Sequence, residues 1–447
     1  MKYVILVLGL FLSLSLQAAP PHVVFVLVDD FGWGDPATYG GKIPTPHLDR
    51  LAREGMQFRQ FYVASPICSA SRCGAITGQY PARWHITSYL QSREGNRACD
   101  QVDYLAPAAP SLPRLFSKAG YATAHIGKWH LGGGRDVTDA PKFAAYGYDV
   151  GLGTYESPEP AAALGLKSMP WTMEREPQQV ARHERTRWMV DETLAFLKAR
   201  SAKPCFVNLW LDDTHTPFRP VDGPDQRESL EKFKEVLTET DRQLGRLMEG
   251  LRELGLEKDT LILLAGDNGP EPSFDRARTS GLRGMKWSLY EGGIRTPLIA
   301  RWPGVLPAGQ VDDQTVVSAM DLLPTLVTLA GLSMPEAYIS DGEDMASVFK
   351  GTPRERDEPL FWEYGRKPAT KGQGIRTFPY PKEVGAKSPN VAVREGPWKL
   401  LVNADGSGVE LYNLNTDPKE TTNLTEREPE LATRLKQMAL KWRAEME

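Results

Sequence analysis

The sequence predicts an α/β protein: a large, mostly parallel sheet flanked by helices, followed by a smaller C-terminal α+β domain that contains an antiparallel sheet. Three observations predict it. Short apolar runs rich in β-branched residues alternate with helical patterns along most of the chain. Each of these runs breaks off into a polar or glycine-containing stretch. From about Arg356 the texture changes to short strands joined by turns and closed by a single amphipathic helix. The resulting division is a leader over 1–19, a larger domain over 20–355 and a smaller one over 356–447.

The elements follow in order. His22 to Val28 (HVVFVLV) is a compact apolar run that reads as a buried parallel strand. It ends in Asp29-Asp30-Phe31-Gly32. Pro46 to Glu54 is a short helix, and a second helix begins at Cys68-Ser69-Ala70-Ser71-Arg72. Pro110 to Ala119 is a helix closed by Gly120. Tyr121 to Ile126 is a strand running into Gly127-Lys128-Trp129-His130-Leu131 and three glycines. The stretch from about Ala140 to Pro177 is irregular and reads as cover for one side of a cleft, and Gln178 to Ala199 is helical. Pro204 to Leu211 is a strand that ends in Asp212-Asp213-Thr214-His215. Ser229 to Leu254 is an amphipathic helix, with Phe233, Leu237, Leu244, Leu247 and Leu251 at helical spacing. Leu261 to Ala265 is a strand that ends in Gly266-Asp267-Asn268-Gly269, and a loop with Lys286 follows. Pro297 to Trp302 is a fifth strand and Asp321 to Ala330 a helix.

Composition narrows the function. With 41% apolar and 25% charged residues the 447-residue chain is an ordinary globular protein. A net charge of −4 argues against a nucleic-acid partner, which would need a basic face. Met1-Lys2, the apolar run Val4 to Leu16 and then Gln17-Ala18-Ala19-Pro20 form a secretory signal peptide, cleaved after Ala18 or Ala19. The run is shorter than the ~20 residues a membrane span needs, so no stable membrane insertion is expected. The mature protein is expected to be periplasmic or secreted. Cys68, Cys73, Cys99 and Cys205 are too few for a disulfide scaffold, although Cys73 and Cys99 could bridge.

The polar residues fall in one place. Asp29 and Asp30, Lys128 and His130, His215, and Asp267 and Asn268 all stand just past the C-terminal end of an apolar strand. In open α/β sheets ligands bind there. Taken singly, each motif has a plainer reading: the paired Asp as a turn and helix cap, Cys68 as a small packed hydrophobe. Taken together, Asp29, Asp30, Asp267 and Asn268 supply oxygen ligands with no thiolate or imidazole at matching spacing. That favours Ca²⁺ or Mg²⁺ over Zn²⁺. Arg72, Lys128 and Lys286, with His130 and His215, supply positive charge and proton donors. A cation so surrounded suits a tetrahedral oxyanion ester.

Cys68-Ser69-Ala70-Ser71-Arg72, with Thr77-Gly78, resembles the signature of the type I sulfatases, a family with an alkaline phosphatase-like fold. Further matches come in the family's order: Asp29-Asp30, Gly127-Lys128-Trp129-His130, Thr214-His215-Thr216-Pro217, Gly266-Asp267-Asn268-Gly269, Leu282-Arg283-Gly284-Met285-Lys286 with Tyr290-Glu291-Gly292-Gly293, and Asp321-Leu322-Leu323-Pro324-Thr325. The resemblance implies that a maturation enzyme oxidises Cys68 to formylglycine, whose hydrate attacks sulfur. It implies that Cys68, so modified, joins Asp29, Asp30, Asp267 and Asn268 around a metal ion, usually Ca²⁺. Lys128, His215 and Lys286 would bind the sulfate, and His215 or Lys286 would help the leaving oxygen depart. Arg72 and His130 would position and activate the diol, and His130 would help expel sulfate. Ala70 stands where the family more often has Pro. The expected substrate is a sulfated saccharide from mucin, glycosaminoglycan or algal polysaccharide, contacted by loops carrying His85, Arg93, Arg97, Arg135 and Trp171. Two other readings fit the same residues: a phosphate or phosphonate ester hydrolase of the same superfamily, and a catalytically silent glycan-binding protein.

Overall fold

The computed structural model describes residues 20–154, 156–162, 180–200, 202–221, 227–367, 381–383 and 385–446. Residues 1–19, expected to be a leader, and Trp171 lie outside the described residues. The strands are β1 (His22–Val28), β2 (Met56–Phe58), β3 (Phe61–Tyr62), β4 (Ala122–Gly127), β5 (Val150–Gly153), β6 (Cys205–Leu211), β7 (Thr260–Gly266), β8 (Leu298–Arg301), β9 (Gln310–Asp312), β10 (Val317–Ser318), β11 (Leu360–Glu363), β12 (Val391–Glu395), β13 (Trp398–Val402) and β14 (Glu410–Asn413).

Eight of them make one sheet in the order β5-β4-β6-β1-β7-β8-β2-β9. The centre is parallel, and β8 is antiparallel to both β7 and β2. Thus the fifth predicted strand runs against its neighbour while the sheet stays mostly parallel. Strict alternation along β1 serves two cores. Val23, Phe25 and Leu27 face one layer, and Val24, Val26 and Val28 face the other. Burying each such side chain contributes about 1.5–3 kcal/mol, which is why the central strands read as uninterrupted apolar runs. The second layer is built by Pro46–Arg53, Arg185–Ala199 and Leu230–Glu253. The helix expected from Gln178 begins only at Arg185 among the described residues, behind a single 3-10 turn over Arg182–Glu184.

Register sets the position of the site. Val28 pairs with Leu211 on one side and Gly266 on the other, and Gly127 pairs with Trp210. Four strands therefore end level, and the chain leaves each of them on the same rim. Gly127 lies at φ +114, and a Cβ there would meet the Trp210 carbonyl oxygen at 2.0 Å. Only glycine allows β4 to end this close to β6 before turning into Lys128.

β11–β14 form a separate antiparallel sheet. One face packs on the Pro429–Glu445 helix through Val391, Val393, Leu400, Leu435 and Ala439. The other face joins the large core through Trp362, Ala392 and Leu401. Across this junction Trp362 Nε1 donates to the Val63 carbonyl at 2.8 Å. All four cysteines are buried free thiols, so Cys73 and Cys99 do not bridge.

Candidate active site

Cys68 opens the Cys68–Thr77 helix, and every residue of that helix is buried. Small side chains make this possible: a Cβ on Gly74 would stand 2.4 Å from that of Ala64. Ile67 precedes it in extended conformation, so Cys68 sits on the first turn, where free N–H groups and the positive helix end gather. Its charge, when present, is felt by Arg72, Lys286 and Asp267.

Asp29 and Asp30 follow β1 directly, and Asp30 takes the left-handed conformation at φ 52. Its N–H donates to Asp267 Oδ1 at 2.9 Å, and Asn268 Nδ2 donates to Asp30 Oδ1 at 2.7 Å. Asp29, Asp30 and Asp267 bring one oxygen each to within 4.8 Å of one another, all buried. Cations surround them. Lys128 Nζ donates to Asp29 Oδ2 at 2.6 Å and Lys286 Nζ to Asp30 Oδ2 at 2.8 Å. Arg72 donates through Nε and Nη2 to Asp267 Oδ2 at 2.9 and 2.7 Å, and through Nη1 to the Lys128 carbonyl at 2.7 Å. The Arg72 guanidinium lies 5.1 Å over the Trp210 ring. His215 Nε2 stands 3.6 Å from Asp30 Oδ2. Eight of the ten predicted site residues thus touch one another on one rim, and Cys68 and His130 lie close enough to act on them electrostatically.

Charge balance follows from these contacts. Burial pushes the Asp29 carboxyl up, but Lys128, His215 and Arg72 outweigh it and hold the group well below the usual carboxylate range. Asp267 goes the other way, raised by burial and then by the negative charge of Asp29. Both imidazoles are driven neutral. His130 falls to about 3 through burial and then Lys128, and His215 to about 3 through burial and then Lys286. Their tautomers follow from their neighbours. His130 Nε2 lies 3.2 Å from the Leu90 carbonyl, so Nε2 carries the proton and Nδ1, buried without a hydrogen-bond partner, is the basic atom. His215 Nδ1 lies 2.6 Å from the Thr216 carbonyl, so Nε2 is its exchangeable atom.

The donor set fits a hard divalent cation. Asp29 Oδ1 and Asn268 Oδ1 are both buried without a hydrogen-bond partner. Such atoms are costly to bury unless something else satisfies them. Both are oxygens, and both belong to the predicted ligand set.

Sequence reasoning missed the clamp behind Asp30. Arg278 donates to Asp35 through Nε and Nη2 at 2.9 and 2.7 Å, and through Nη2 to the Asp30 carbonyl at 2.5 Å. Asp35 Oδ2 in turn accepts from the Gly32 N–H at 2.7 Å. The turn after Asp30 is therefore tied by Arg278 at the Asp30 carbonyl and by Asp35 at the Gly32 N–H. Asp35, three residues beyond Gly32, was a signal for such a turn; nothing marked Arg278. Of the residues named for substrate loops, Arg93 is engaged by Asp103 at 2.8 Å and by Asp139, and Arg135 by Glu156 at 2.9 Å.

Buried carboxylates with unsatisfied oxygens, ringed by ammonium, guanidinium and imidazole groups at the ends of parallel strands, suit hydrolysis of a tetrahedral oxyanion ester. The chain belongs to the sulfatase family. The Sulfatase family model matches residues 21–332, and the model of the N-sulphoglucosamine sulphohydrolase C-terminal region matches residues 285–445. N-acetylgalactosamine-6-sulfatase of Canis lupus familiaris is 33% identical over 374 residues, spanning 77% of this chain and 69% of that protein. Arylsulfatase A of Homo sapiens is 29% identical over 473 residues, spanning 95% and 88%. Among solved structures, Ps i-CgsB in complex with a neocarrahexaose superposes with a TM-score of 0.73 at 26% identity, over 95% of this chain and 93% of that one. The protein is thus a sulfuric ester hydrolase of alkaline phosphatase-like fold, in a family that generally works with formylglycine and a divalent metal ion. The likeness to the phosphonate monoester hydrolase of Agrobacterium radiobacter, at 18% identity and a TM-score of 0.67, shows a shared fold and no more.

Proposed function

We propose that the protein releases sulfate from sulfated saccharides, in the periplasm or outside the cell, with Cys68 carried as formylglycine. The observation that carries this reading is the meeting of Cys68, on the first turn of its helix, with the carboxylates and cations of four strand ends. The substrate class is supported by relatives: one acts on N-acetylgalactosamine 6-sulfate by its name, and a solved neighbour holds a neocarrahexaose.

In this reading Asp29, Asp30, Asp267 and Asn268, with the modified Cys68, hold Ca²⁺. Such a wide set of oxygens suits Ca²⁺ better than Mg²⁺, which keeps more of its own waters. A bound ion would supply charge neutralisation for the sulfate, and the hydrated aldehyde would supply the attacking oxygen. The remaining work falls to the chain. Lys128, Lys286 and His215 bind the other sulfate oxygens. His215 Nε2 or Lys286 Nζ delivers a proton to the departing sugar oxygen. His130 Nδ1 accepts a proton from the attacking group and later helps expel sulfate. Arg72 counters the rise that burial and Asp29 impose on the Asp267 carboxyl, and it fixes the Lys128 main chain, so that Lys128 approaches from a set direction.

A formylglycine-generating maturation enzyme is the implied partner. We also propose removal of residues 1–19 as a signal peptide and division of the rest into a catalytic domain over 20–355 and a smaller one over 356–447. The separate hydrogen bonding of β11–β14 supports that division. No helix among the described residues is long and apolar enough to cross a membrane.

The test is sulfate release from a panel of positionally defined sulfated mono- and oligosaccharides, beside an aryl sulfate and an aryl phosphate. Release from at least one sugar at a rate above the aryl phosphate is expected. Turnover of aryl sulfate with every sugar left intact would exclude the saccharide assignment.

A further inference from the structure

We infer that Arg135 is a specificity-determining residue that takes an anionic group, a carboxylate or a second sulfate, on the saccharide beside the sulfate being released. This rests on the saccharide reading above.

The argument starts at His130. The chain leaves it through Gly132, Gly133 and Gly134 at φ 119, 94 and 83, and Arg135 continues in the same region at φ 51. A fourth left-handed residue that is not glycine is strained unless its surroundings hold it. They do. A Cβ on Gly133 would come within 2.4 Å of Pro158 N and 2.6 Å of Ser157 C, so this loop lies directly on the segment that carries Glu156. Glu156 is 3% exposed and is itself left-handed at φ 47. Its carbonyl accepts from the His130 N–H at 3.2 Å, and its Oε1 accepts from Arg135 Nε at 2.9 Å. One buried acid therefore touches both His130 and Arg135, and the guanidinium is held one contact away from the proposed base.

The way it is held leaves it incomplete. The ion pair uses Nε, and Nη1 and Nη2 make no hydrogen bond among the described residues. The side chain is 23% exposed. Neighbouring Arg93 is spent differently, with Nε on the Asp136 carbonyl, Nη1 on Asp103 and Nη2 on Asp139. An anchored guanidinium with its outer edge open matches the two-oxygen face of a carboxylate or a sulfate. Glu156 fixes the fork and keeps the pair neutral, so the added charge comes from the substrate.

The test compares Arg135→Ala and wild type on three sugars: N-acetylgalactosamine 6-sulfate, its 4,6-disulfate, and the 6-sulfate linked to glucuronic acid. The expected result is that kcat/KM falls about tenfold more on the disulfate or the uronate than on the neutral-neighbour sugar. Whichever of the two is affected identifies the anion. Arg135→Lys, which keeps the charge without the fork, is expected to lose part of that discrimination and covers a failure of the alanine variant to fold. Equal losses on all three sugars, or none, would overturn the assignment. Wild-type protein that turns over aryl sulfate but none of the three, nor any other sugar of the positional panel, would instead remove the saccharide reading beneath it.

Discussion

Arg72 and Asp267 meet side-on: two guanidinium nitrogens converge on the single oxygen Oδ2, leaving Oδ1 to receive the Asp30 N–H. Both side chains are fully buried. Removing the guanidinium strands a carboxylate that burial already pushes toward protonation. Arg72→Ala is expected to cost about 3–5 kcal/mol of stability, the range for breaking a buried pair, and to abolish turnover. Arg72→Lys retains the charge but cannot bridge Asp267 and the Lys128 carbonyl together. It is expected to fold and to lose at least about a hundredfold in kcat, since one misplaced group costs that much. Aryl sulfate kinetics beside a thermal melt would check both, and near-normal kcat in the Lys variant would refute the positioning role.

Cys68 gives a prediction that needs no substrate. Conversion of the thiol to an aldehyde should lower the mass of the Cys68 peptide by ~18 Da. Protein made without a maturation enzyme should keep the full mass, melt at the same temperature and show about 1% of the matured activity or less, since a thiol cannot supply the hydrate's second hydroxyl. Full activity at the unmodified mass would rule out the mechanism.

What was legible in the sequence follows from how each signal is carried. β1, β6 and β7 are buried on both faces, so their burial is written as consecutive apolar residues, and the polar break marks the strand end. That placed the site. The strands β2, β5 and β9 are three or four residues long, too short for any period to show, and β5 is Val-Gly-Leu-Gly. The clamp from Arg278 to Asp35 joins residues 243 apart, and the pair of Arg135 with Glu156 depends on loop conformations. Neither leaves a local pattern. The family motifs name ligands, but the left-handed turn at Asp30 that aims them is visible only in three dimensions.

The unsatisfied oxygens of Asp29 and Asn268 predict a metal-dependent melt. Ca²⁺ at about 100 times its dissociation constant should add about 2.7 kcal/mol, a rise in Tm of about 2–4 °C or less for a chain of this size. Chelation should reverse it and remove activity. Asn268→Ala should blunt the shift while leaving the chelated protein's melt nearly in place. Identical melts with chelator and with millimolar Ca²⁺ would count against the site.

A second buried cluster predicts how stability depends on pH away from the chemistry. Lys399 Nζ lies 2.9 Å from both Glu291 Oε1 and Glu420 Oε1, and the Glu291 N–H donates to Glu420 Oε2 at 2.7 Å. One ammonium thus serves two carboxyls where β13 meets the large core. Burial and then Glu291 raise Glu420 from 4.5 to about 7, against the pull of Lys399. Its folded pKa is raised, so folding takes up a proton between these two values. The stability from this group is complete below 4.5 and is lost as pH rises through about 7. Glu291, lowered by Lys399 and Arg295 against its own burial, acts in the opposite sense and only below 4.5, so it does not mask the effect. Between pH 5 and 8 the melting temperature of wild type should therefore fall, relative to that of Glu420→Gln, by about 2–5 °C. The variant keeps an acceptor for the Glu291 N–H and removes the titration. Taking the difference cancels other groups that titrate in this window, such as Asp213, which burial raises to about 6. Parallel profiles for the two proteins would show that Glu420 carries no such proton.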